Sequence, residues 1–271
     1  MTIKVVLAGC GNMGYAMLSG WLQSARLQPA EVLVVEPNAE LRSRASALGA
    51  AVGADAGDIP QGVSPDLVIF AVKPQAIRDV SAGYKRFADG KTAFLSVAAG
   101  TGIAVFEEIL GKNLPIIRCM PNTPAAIGKG MMVVVDNGHV PEATSAFVND
   151  LLSASGEVAV IADEALMDAV TAVSGSGPAY IFHFIECLTA AAENAGLPTA
   201  TAKLLAMQTV YGAATLAAES REDPARLREQ VTSPNGTTAA ALSVLMGQDR
   251  LKTLVTEAVE AARKRSIELG K

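Results

Sequence analysis

Over roughly the first 160 residues, short runs of Val, Ile and Leu alternate with Ala-rich stretches that have a helical pattern. This alternation predicts repeated βαβ units and a parallel sheet. Because the runs are almost continuously apolar, both faces of the sheet should be covered by helices, which is an α/β, doubly wound arrangement. The predicted strands cover residues 3–8, 31–36, 67–72, 93–97, 116–120 and 131–135.

Beyond residue 162 the strand pattern ends, and the rest of the chain is predicted to be all-α. We therefore predict two domains, residues 1–162 and residues 163–271. The predicted helices cover residues 163–173, 178–195, 199–219, 224–231 and 238–269, the last with a break near Gly247. These helices are Ala-rich and apolar on two or three sides, which favours a homodimer or higher oligomer over a self-contained bundle.

Composition narrows the possible partners and the compartment. The net charge of -5 offers no general attraction for nucleic acid or anionic membranes, and no apolar stretch is long enough to span a bilayer. Cys10, Cys119 and Cys187 are odd in number and lie in apolar surroundings, as expected of reduced thiols. With only two histidines, a metal site is not expected. The start of the chain lacks the features of a signal peptide, so a cytoplasmic protein is expected.

A glycine-rich loop, GCGNMG at residues 9–14, directly follows the first predicted strand and opens a helix. In this context the pattern is typical of dinucleotide binding. Gly9 permits the tight turn, Gly11 lets a pyrophosphate approach the backbone, and Gly14 lets helix and strand pack closely. Asn12 and Met13 complete the loop, whose free N–H groups face the phosphates. The alternative is a glycine turn without a ligand.

Glu36 ends the second predicted strand, 22 residues beyond Gly14. An acidic side chain there can accept hydrogen bonds from the adenosine ribose, which favours NAD over NADP. Arg42 or Arg44 on the following helix could compensate by binding a 2′-phosphate. The alternative interpretation is a solvated turn carboxylate.

Four further segments follow the glycine loop along the chain: AVKP at residues 71–74, MPNTP at 120–124, SGSGPAY at 174–180 and VTSPNGTT at 231–238. Together the five segments resemble the pyrroline-5-carboxylate reductase family over essentially the whole chain. The resemblance implies a Rossmann-like domain that binds NADH or NADPH and a helical domain that dimerises and completes the active site. It implies reduction of the cyclic imine 1-pyrroline-5-carboxylate to L-proline.

The resemblance also implies which residues flank the cofactor and the substrate. The backbone of Ala71, Val72, Lys73 and Pro74, together with Val97 and Ala99, would flank the nicotinamide side of the cofactor, and Asn122 is a further cofactor-binding candidate. Lys73 could attract the cofactor phosphates or ribose, with a solvated strand end as the alternative. These segments lie at the carboxyl ends of predicted parallel strands, where a doubly wound sheet binds ligands. Ser176 is a candidate for the substrate side, with tight helix packing as the alternative.

Residues 233–238 offer hydroxyls, a turn and free N–H groups at the start of a helix, which can bind an anion without arginine. In the family the matching segment cradles the substrate carboxylate, which implies Ser233, Asn235, Gly236 and Thr237 as substrate-binding residues. The resemblance places Thr238 against the imine nitrogen as the candidate catalytic residue. Its hydroxyl is a poor acid, so orientation is a better supported role than proton donation. The alternative is an ordinary helix cap by Thr237 or Thr238.

One position departs from the family pattern, in which glycine usually stands where this chain has Asn235. Asparagine tolerates positive φ better than other residues with a side chain, so the turn could survive with small strain.

Two rival functions keep the cofactor loop. A β-hydroxyacid dehydrogenase-like reductase would use a helical-domain lysine, but Lys203 and Lys252 are not in an obvious catalytic setting. A non-catalytic NAD(P)-binding protein would need the glycine loop and have no need of residues 233–238. Activity on a hydroxyacid, or cofactor binding without turnover, would distinguish them.

Overall fold

The computed structural model describes residues 2–270 and contains one eight-stranded sheet in the order β3-β2-β1-β4-β5-β6-β7-β8. The strands are β1 (Val5–Ala8), β2 (Val32–Val35), β3 (Ala51–Gly53), β4 (Leu67–Phe70), β5 (Ala93–Ser96), β6 (Ile116–Met120), β7 (Gly130–Asp136) and β8 (Gly156–Val160). Strand β1 pairs in parallel with both β2 and β4. The chain therefore reverses its direction of winding beside β1, where an open α/β sheet binds its ligands.

Helices cover both faces of this sheet, as the apolar runs predict. Along β1, Val5 and Leu7 belong to one buried cluster, whereas Val6 and Ala8 belong to the other. The helices of this part are α1 (Asn12–Gln23), α2 (Ala39–Ala47), α3 (Ile77–Ala82), α4 (Ile103–Leu110), α5 (Glu142–Ser153) and α6 (Met167–Val170). The doubly wound α/β fold class is thereby confirmed.

The sheet is not parallel throughout, because β7 runs antiparallel to β6. Only residues 121–129 join the two strands, and they contain a single 3₁₀ turn, Thr123–Ile127. A parallel crossover needs roughly a dozen residues or more, so this connection is too short for one. The prediction of a wholly parallel sheet was wrong at this pair.

Two strands were not predicted from the sequence pattern. β3 has three residues, and two of them are exposed. β8 lies at the opposite edge and has no buried residue. Edge strands of this kind lack the continuous apolar run by which the buried strands were recognised.

Contacts divide the chain into two compact units, residues 2–176 with 262–270, and Gly177–Ala261. The sequence places the boundary at residue 162 instead. Residues 163–176 join the sheet unit because Met167 and Ala172 are completely buried there. The last residues join it through Ser266, whose hydroxyl donates to the Asp168 carboxylate at 2.6 Å.

The helical unit contains α7 (Gly177–Asn194), α8 (Thr199–Ser220), α9 (Pro224–Gln230) and α10 (Thr237–Met246). It also contains most of α11 (Arg250–Leu269). A 3₁₀ turn at Gly247–Asp249 interrupts the predicted helix of residues 238–269, where the sequence indicates a break. Among residues 2–270, no helix is long and apolar enough to cross a membrane.

Candidate functional site

A cavity of about 1080 Å³ opens at the carboxyl ends of the strands beside β1. Its wall brings together segments that follow β1, β2, β3, β4 and β5, which are far apart in the sequence. The predicted cofactor residues that line it are Gly9, Gly11, Asn12, Met13, Glu36, Ala71, Val72, Lys73, Pro74, Val97 and Ala99. A volume of this size is sufficient for a cofactor with two nucleotides.

The glycine loop leaves no room for side chains at two of its positions. Gly9 has a φ of +92°, and a Cβ built on it would lie 2.6 Å from the Ala71 carbonyl oxygen. At Gly14, which is buried and does not line the cavity, an added Cβ would collide with the Gly9 carbonyl oxygen. Gly11 differs, because nothing lies within 4 Å of its Cβ position. The backbone at Gly11 is therefore open for a ligand to approach.

Helix α1 begins at Asn12, with Gly11 as its N-cap. No side chain caps this end, and no acidic residue occupies the first turn. The first-turn N–H groups and the positive end of the helix dipole are consequently available to an anion, as the spacing of the loop predicts.

Glu36 is only 7% exposed and forms part of the cavity wall. One carboxylate oxygen accepts a hydrogen bond from the Cys10 N–H at 2.7 Å, and the other accepts from the Asn38 N–H at 2.9 Å. These contacts tie the end of β2 to the glycine loop. They exclude the alternative that Glu36 is merely a solvated turn carboxylate.

The two arginines of α2 make other contacts. Arg42 donates to the carbonyl oxygens of Glu36 at 2.8 Å and Pro37 at 3.0 Å. The Arg44 guanidinium lies 4.2 Å from the centre of the Tyr15 ring, which is a cation–π geometry.

The loop after β5, which carries Val97 and Ala99, is anchored where it enters α4. The Glu164 carboxylate accepts from the Ile103 N–H at 2.9 Å and forms a 3.0 Å ion pair with Arg118. The Arg118 side chain is almost completely buried, so this ion pair holds the base of the loop in one position.

Asn122 and Ser176 lie outside the cavity wall. The Asn122 side chain accepts from the Met131 N–H at 2.9 Å and donates to the Ser174 carbonyl at 3.1 Å. Ser176 ends a π-helical turn, Thr171–Gly175. A Cβ on Gly175 would lie 2.5 Å from the terminal methyl group of Met120, the movable end of a flexible side chain, so this contact alone does not require glycine there.

Part of the cavity wall was missed by sequence reasoning. It consists of residues after β3, including Asp55 and Gly57, and of residues 76–86, including Asp79, Tyr84 and Arg86. No dinucleotide motif marks these residues. An Asp–Ala–Gly–Asp turn signal at residues 55–58 was the available indication of a loop near the site.

The three thiols differ in burial. Burial, followed by the nearby Glu36 carboxylate, raises the pKa of Cys10 to about 11, and burial raises the pKa of Cys119 to about 12. Cys187 is exposed in the described chain. We expect at most one thiol per native chain to react with Ellman's reagent near pH 8, and three after unfolding, because the thiolate is the reactive form. Rapid reaction of two thiols in the native protein would contradict this assignment.

The second candidate site lies within the helical unit, at the start of α10. Gly236 is the N-cap, and no side chain caps the helix. The alternative that Thr237 or Thr238 serves as an ordinary cap is therefore not what the structure contains. The first-turn N–H groups are available to an anion, as at α1.

The turn before α10 has a backbone conformation that its sequence can adopt. Asn235 has a φ of +62°, in the left-handed region, and the Gly236 N–H donates to the Ser233 carbonyl at 3.1 Å. Asparagine tolerates this conformation where most residues with a side chain would be strained. Ser233, Asn235 and Thr237 are exposed, and Thr238 is half-buried.

Residues 2–270 contain no group of three or more His, Cys, Asp or Glu side chains placed to hold a metal ion.

Comparison with known proteins agrees with this architecture. Residues 164–269 match a family model described as pyrroline-5-carboxylate reductase dimerisation. Residues 4–100 match a model described as NADP oxidoreductase coenzyme F420-dependent. The chain is 38% identical to the pyrroline-5-carboxylate reductase of Pseudomonas aeruginosa, over 99% of this chain and 97% of that one. It is 40% identical to the Corynebacterium melassecola enzyme over the full length of both.

Solved structures give the same result. A pyrroline-5-carboxylate reductase from Coxiella burnetii superposes with a TM-score of 0.93 at 33% identity, covering all of both chains. The Plasmodium falciparum pyrroline carboxylate reductase, solved with NADP bound, gives 0.84 at 29% identity, covering 99% of this chain and 98% of that one. The chain belongs to the pyrroline-5-carboxylate reductase family.

Proposed function

We propose that this protein reduces 1-pyrroline-5-carboxylate to L-proline, with NADH or NADPH as the reductant. Its relatives over the full length of the chain carry the name of this reaction. The observation that carries the proposal is a pair of uncapped helix N-termini, at α1 and α10, each behind a glycine N-cap. Two anion-binding ends suit a reaction that needs a cofactor with a pyrophosphate and a substrate with a carboxylate.

The cavity fits the cofactor. Gly11 leaves the backbone open, and Gly9 and Ala71 approach so closely that no side chain fits between them. The pyrophosphate would lie over the first turn of α1, and the nicotinamide end would lie near Val97 and Ala99, beyond the ends of β4 and β5. When bound, the cofactor supplies the hydride that the imine carbon receives.

The start of α10 would hold the substrate. The N–H groups of its first turn and the Ser233 hydroxyl would bind the carboxylate, and Thr238 would form a hydrogen bond with the ring nitrogen. A threonine hydroxyl is too weak an acid to transfer its proton alone near neutral pH. Thr238 therefore orients the ring. It donates to the nitrogen of a neutral imine, which then takes its proton from water, or it accepts from the N–H of an iminium substrate that is already protonated.

The rival function, reduction of a keto acid to a β-hydroxyacid, would require a lysine in the helical unit. Lys203 lies within α8, 26 residues beyond the start of α7 at Gly177. The Lys252 side chain is 79% exposed and lies 3.9 Å from the Asp249 carboxylate. An exposed lysine next to a carboxylate is a poor choice for polarising a substrate carbonyl, so imine reduction is favoured.

The test is cofactor oxidation followed at 340 nm with 1-pyrroline-5-carboxylate. Substrate-dependent oxidation of NADH or NADPH with formation of proline is expected. Cofactor binding without imine-dependent oxidation would support the non-catalytic rival, and oxidation with a β-keto acid alone would support the hydroxyacid rival.

Self-association through the helical unit is part of the proposal. Within Gly177–Ala261 the buried residues are only Ala202 and Ala206, so the unit has no core of large side chains. Its large apolar side chains are instead exposed: Ile181, Phe182, Phe184, Leu197, Leu204, Leu205, Met207, Tyr211, Leu216, Val231, Val244, Leu245, Met246, Leu251, Leu254 and Val255. A surface of this kind is typical of an obligate interface, and a second copy of the chain would complete the missing core.

Leu204→Glu should weaken this assembly by at least about tenfold in dissociation constant, because burying an unpaired carboxylate is costly. Leu204 is 67% exposed and lies two residues from both buried alanines of α8, so it points away from them. Analytical ultracentrifugation across a dilution series measures the effect. Leu204→Met is the control and should assemble as the wild type does. Equal assembly by the Glu variant would show that α8 lies outside the interface.

A cytoplasmic location also belongs to the proposal. Cys10, Cys119 and Cys187 are all free thiols in the structure, and two of them are buried. Unpaired cysteines of this kind suit a reducing compartment.

A further inference from the structure

We infer that Glu36 makes this site select a cofactor with a free adenosine 2′-hydroxyl and reject one with a 2′-phosphate. The inference rests on the proposed function, because it concerns the adenosine end of the same cavity. It specifies NADH as the preferred reductant. Two separate effects of one side chain produce the selection, its negative charge and its occupation of backbone donors.

The first effect is electrostatic. In a doubly wound sheet the adenosine ribose lies at the end of the second strand, and Glu36 directly follows β2. Its side chain is almost completely buried in the cavity wall, so solvent screens its charge poorly. A ribose hydroxyl can donate a hydrogen bond to this carboxylate, whereas the negative charge of a 2′-phosphate is repelled by it.

The second effect concerns the N–H groups that a phosphate would otherwise bind. Cys10 and Asn38 lie on different loops, and both backbone N–H groups donate to Glu36, at 2.7 Å and 2.9 Å. The carboxylate thus already fills the position of an anion between the glycine loop and the start of α2. An incoming phosphate would find these two donors occupied as well as an adjacent negative charge.

The nearby cations do not compensate. Arg42 donates to the carbonyl oxygens of Glu36 and Pro37, and Arg44 stacks on Tyr15. Neither arginine belongs to the cavity wall. Turning either one toward a 2′-phosphate would break these contacts. As the two side chains are placed, neither arginine of α2 faces a 2′-phosphate in the cavity.

The charges of the cavity wall also disfavour a 2′-phosphate. The described wall carries three carboxylates, those of Glu36, Asp55 and Asp79, against two cations, Lys73 and Arg86. Arg86 donates to the Ile59 carbonyl at 2.8 Å, and its guanidinium lies 4.7 Å from the centre of the Phe87 ring. Lys73 follows β4 rather than β2, so it belongs to a different strand end from Glu36.

The test measures binding of 5′-AMP and 2′,5′-ADP by calorimetry, because these probes differ only in the 2′-phosphate. The wild type should bind 5′-AMP at least about tenfold more tightly than 2′,5′-ADP. Glu36→Gln removes the charge but keeps a side chain beside the two donors, and it should reduce the ratio. Glu36→Ser frees both donors, and it should reduce the ratio further or reverse it. Glu40→Gln removes an exposed charge from the first turn of α2, outside the cavity wall, and should leave the ratio unchanged.

Equal or tighter binding of 2′,5′-ADP by the wild type would overturn the inference. An unchanged ratio in both Glu36 variants would do the same. Identical ratios in the Gln and Ser variants would overturn the role of the occupied donors. A protein that prefers 5′-AMP but oxidises no cofactor with the imine would retain this inference, and the proposed function would fail separately.

Discussion

Gly11→Ala is expected to weaken cofactor binding by about one hundredfold while Tm stays within a degree or so of the wild type. The backbone of Gly11 has a φ of −64°, which alanine adopts readily, and its Cβ position is free of protein atoms within 4 Å. The added methyl group instead occupies the space through which the pyrophosphate approaches the first turn of α1. Loss of one hydrogen bond to a charged group, about 2–3 kcal/mol, accounts for the factor.

Gly9→Ala is the contrasting variant, since it should fail for a different reason. Its φ of +92° and the 2.6 Å approach of the Ala71 oxygen strain the folded chain whether or not a ligand is present. Tm should therefore fall markedly in the cofactor-free protein. Calorimetric titration and a thermal melt of both variants separate the two effects. If Gly11→Ala bound the cofactor with wild-type affinity, the pyrophosphate would not bind at this loop.

Thr238→Ala should lower kcat/KM for 1-pyrroline-5-carboxylate by about one hundredfold, with the cofactor affinity unchanged. Thr238 lies in the first turn of α10, and removal of its hydroxyl deprives the ring nitrogen of a hydrogen-bond partner in the transition state. The first-turn N–H groups that would bind the carboxylate remain, so the loss should fall mainly on kcat. Steady-state kinetics at saturating cofactor measures the changes in kcat and KM separately.

Two variants control for disturbance of α10. Thr238→Ser keeps the hydroxyl and should retain most of the activity. Ser243→Ala removes an exposed hydroxyl from the same helix, one that donates to the Ala240 carbonyl at 2.7 Å, and should behave as the wild type. If Thr238→Ala were fully active, the assignment of the ring nitrogen to Thr238 would be wrong, whereas the carboxylate site could still stand.

Much of the fold was predictable because its signals are local. The strands β1, β2, β4, β5 and β6 are nearly continuous apolar runs, and such a run reports burial on both faces without any knowledge of the partners. The glycine loop was predictable for the same reason, since its glycine spacing and the strand and helix that flank it are adjacent along the chain, and Gly9 has the positive φ that glycine tolerates. Asn235 likewise stands where a positive φ is needed.

Other features depend on residues that meet only after folding. The sequence by itself determined the α/β order, the glycine loop and the family, because motif spacing and hydrophobic period are properties of neighbours along the chain. Tertiary structure alone decided that β7 turns antiparallel, that residues 163–176 join the sheet unit, and that residues 54–57 and 76–86 complete the cavity wall. It also decided that the Glu36 carboxylate is held by Cys10, 26 residues away. These outcomes follow from burial and hydrogen bonding between distant segments, and no local pattern records which segments will meet.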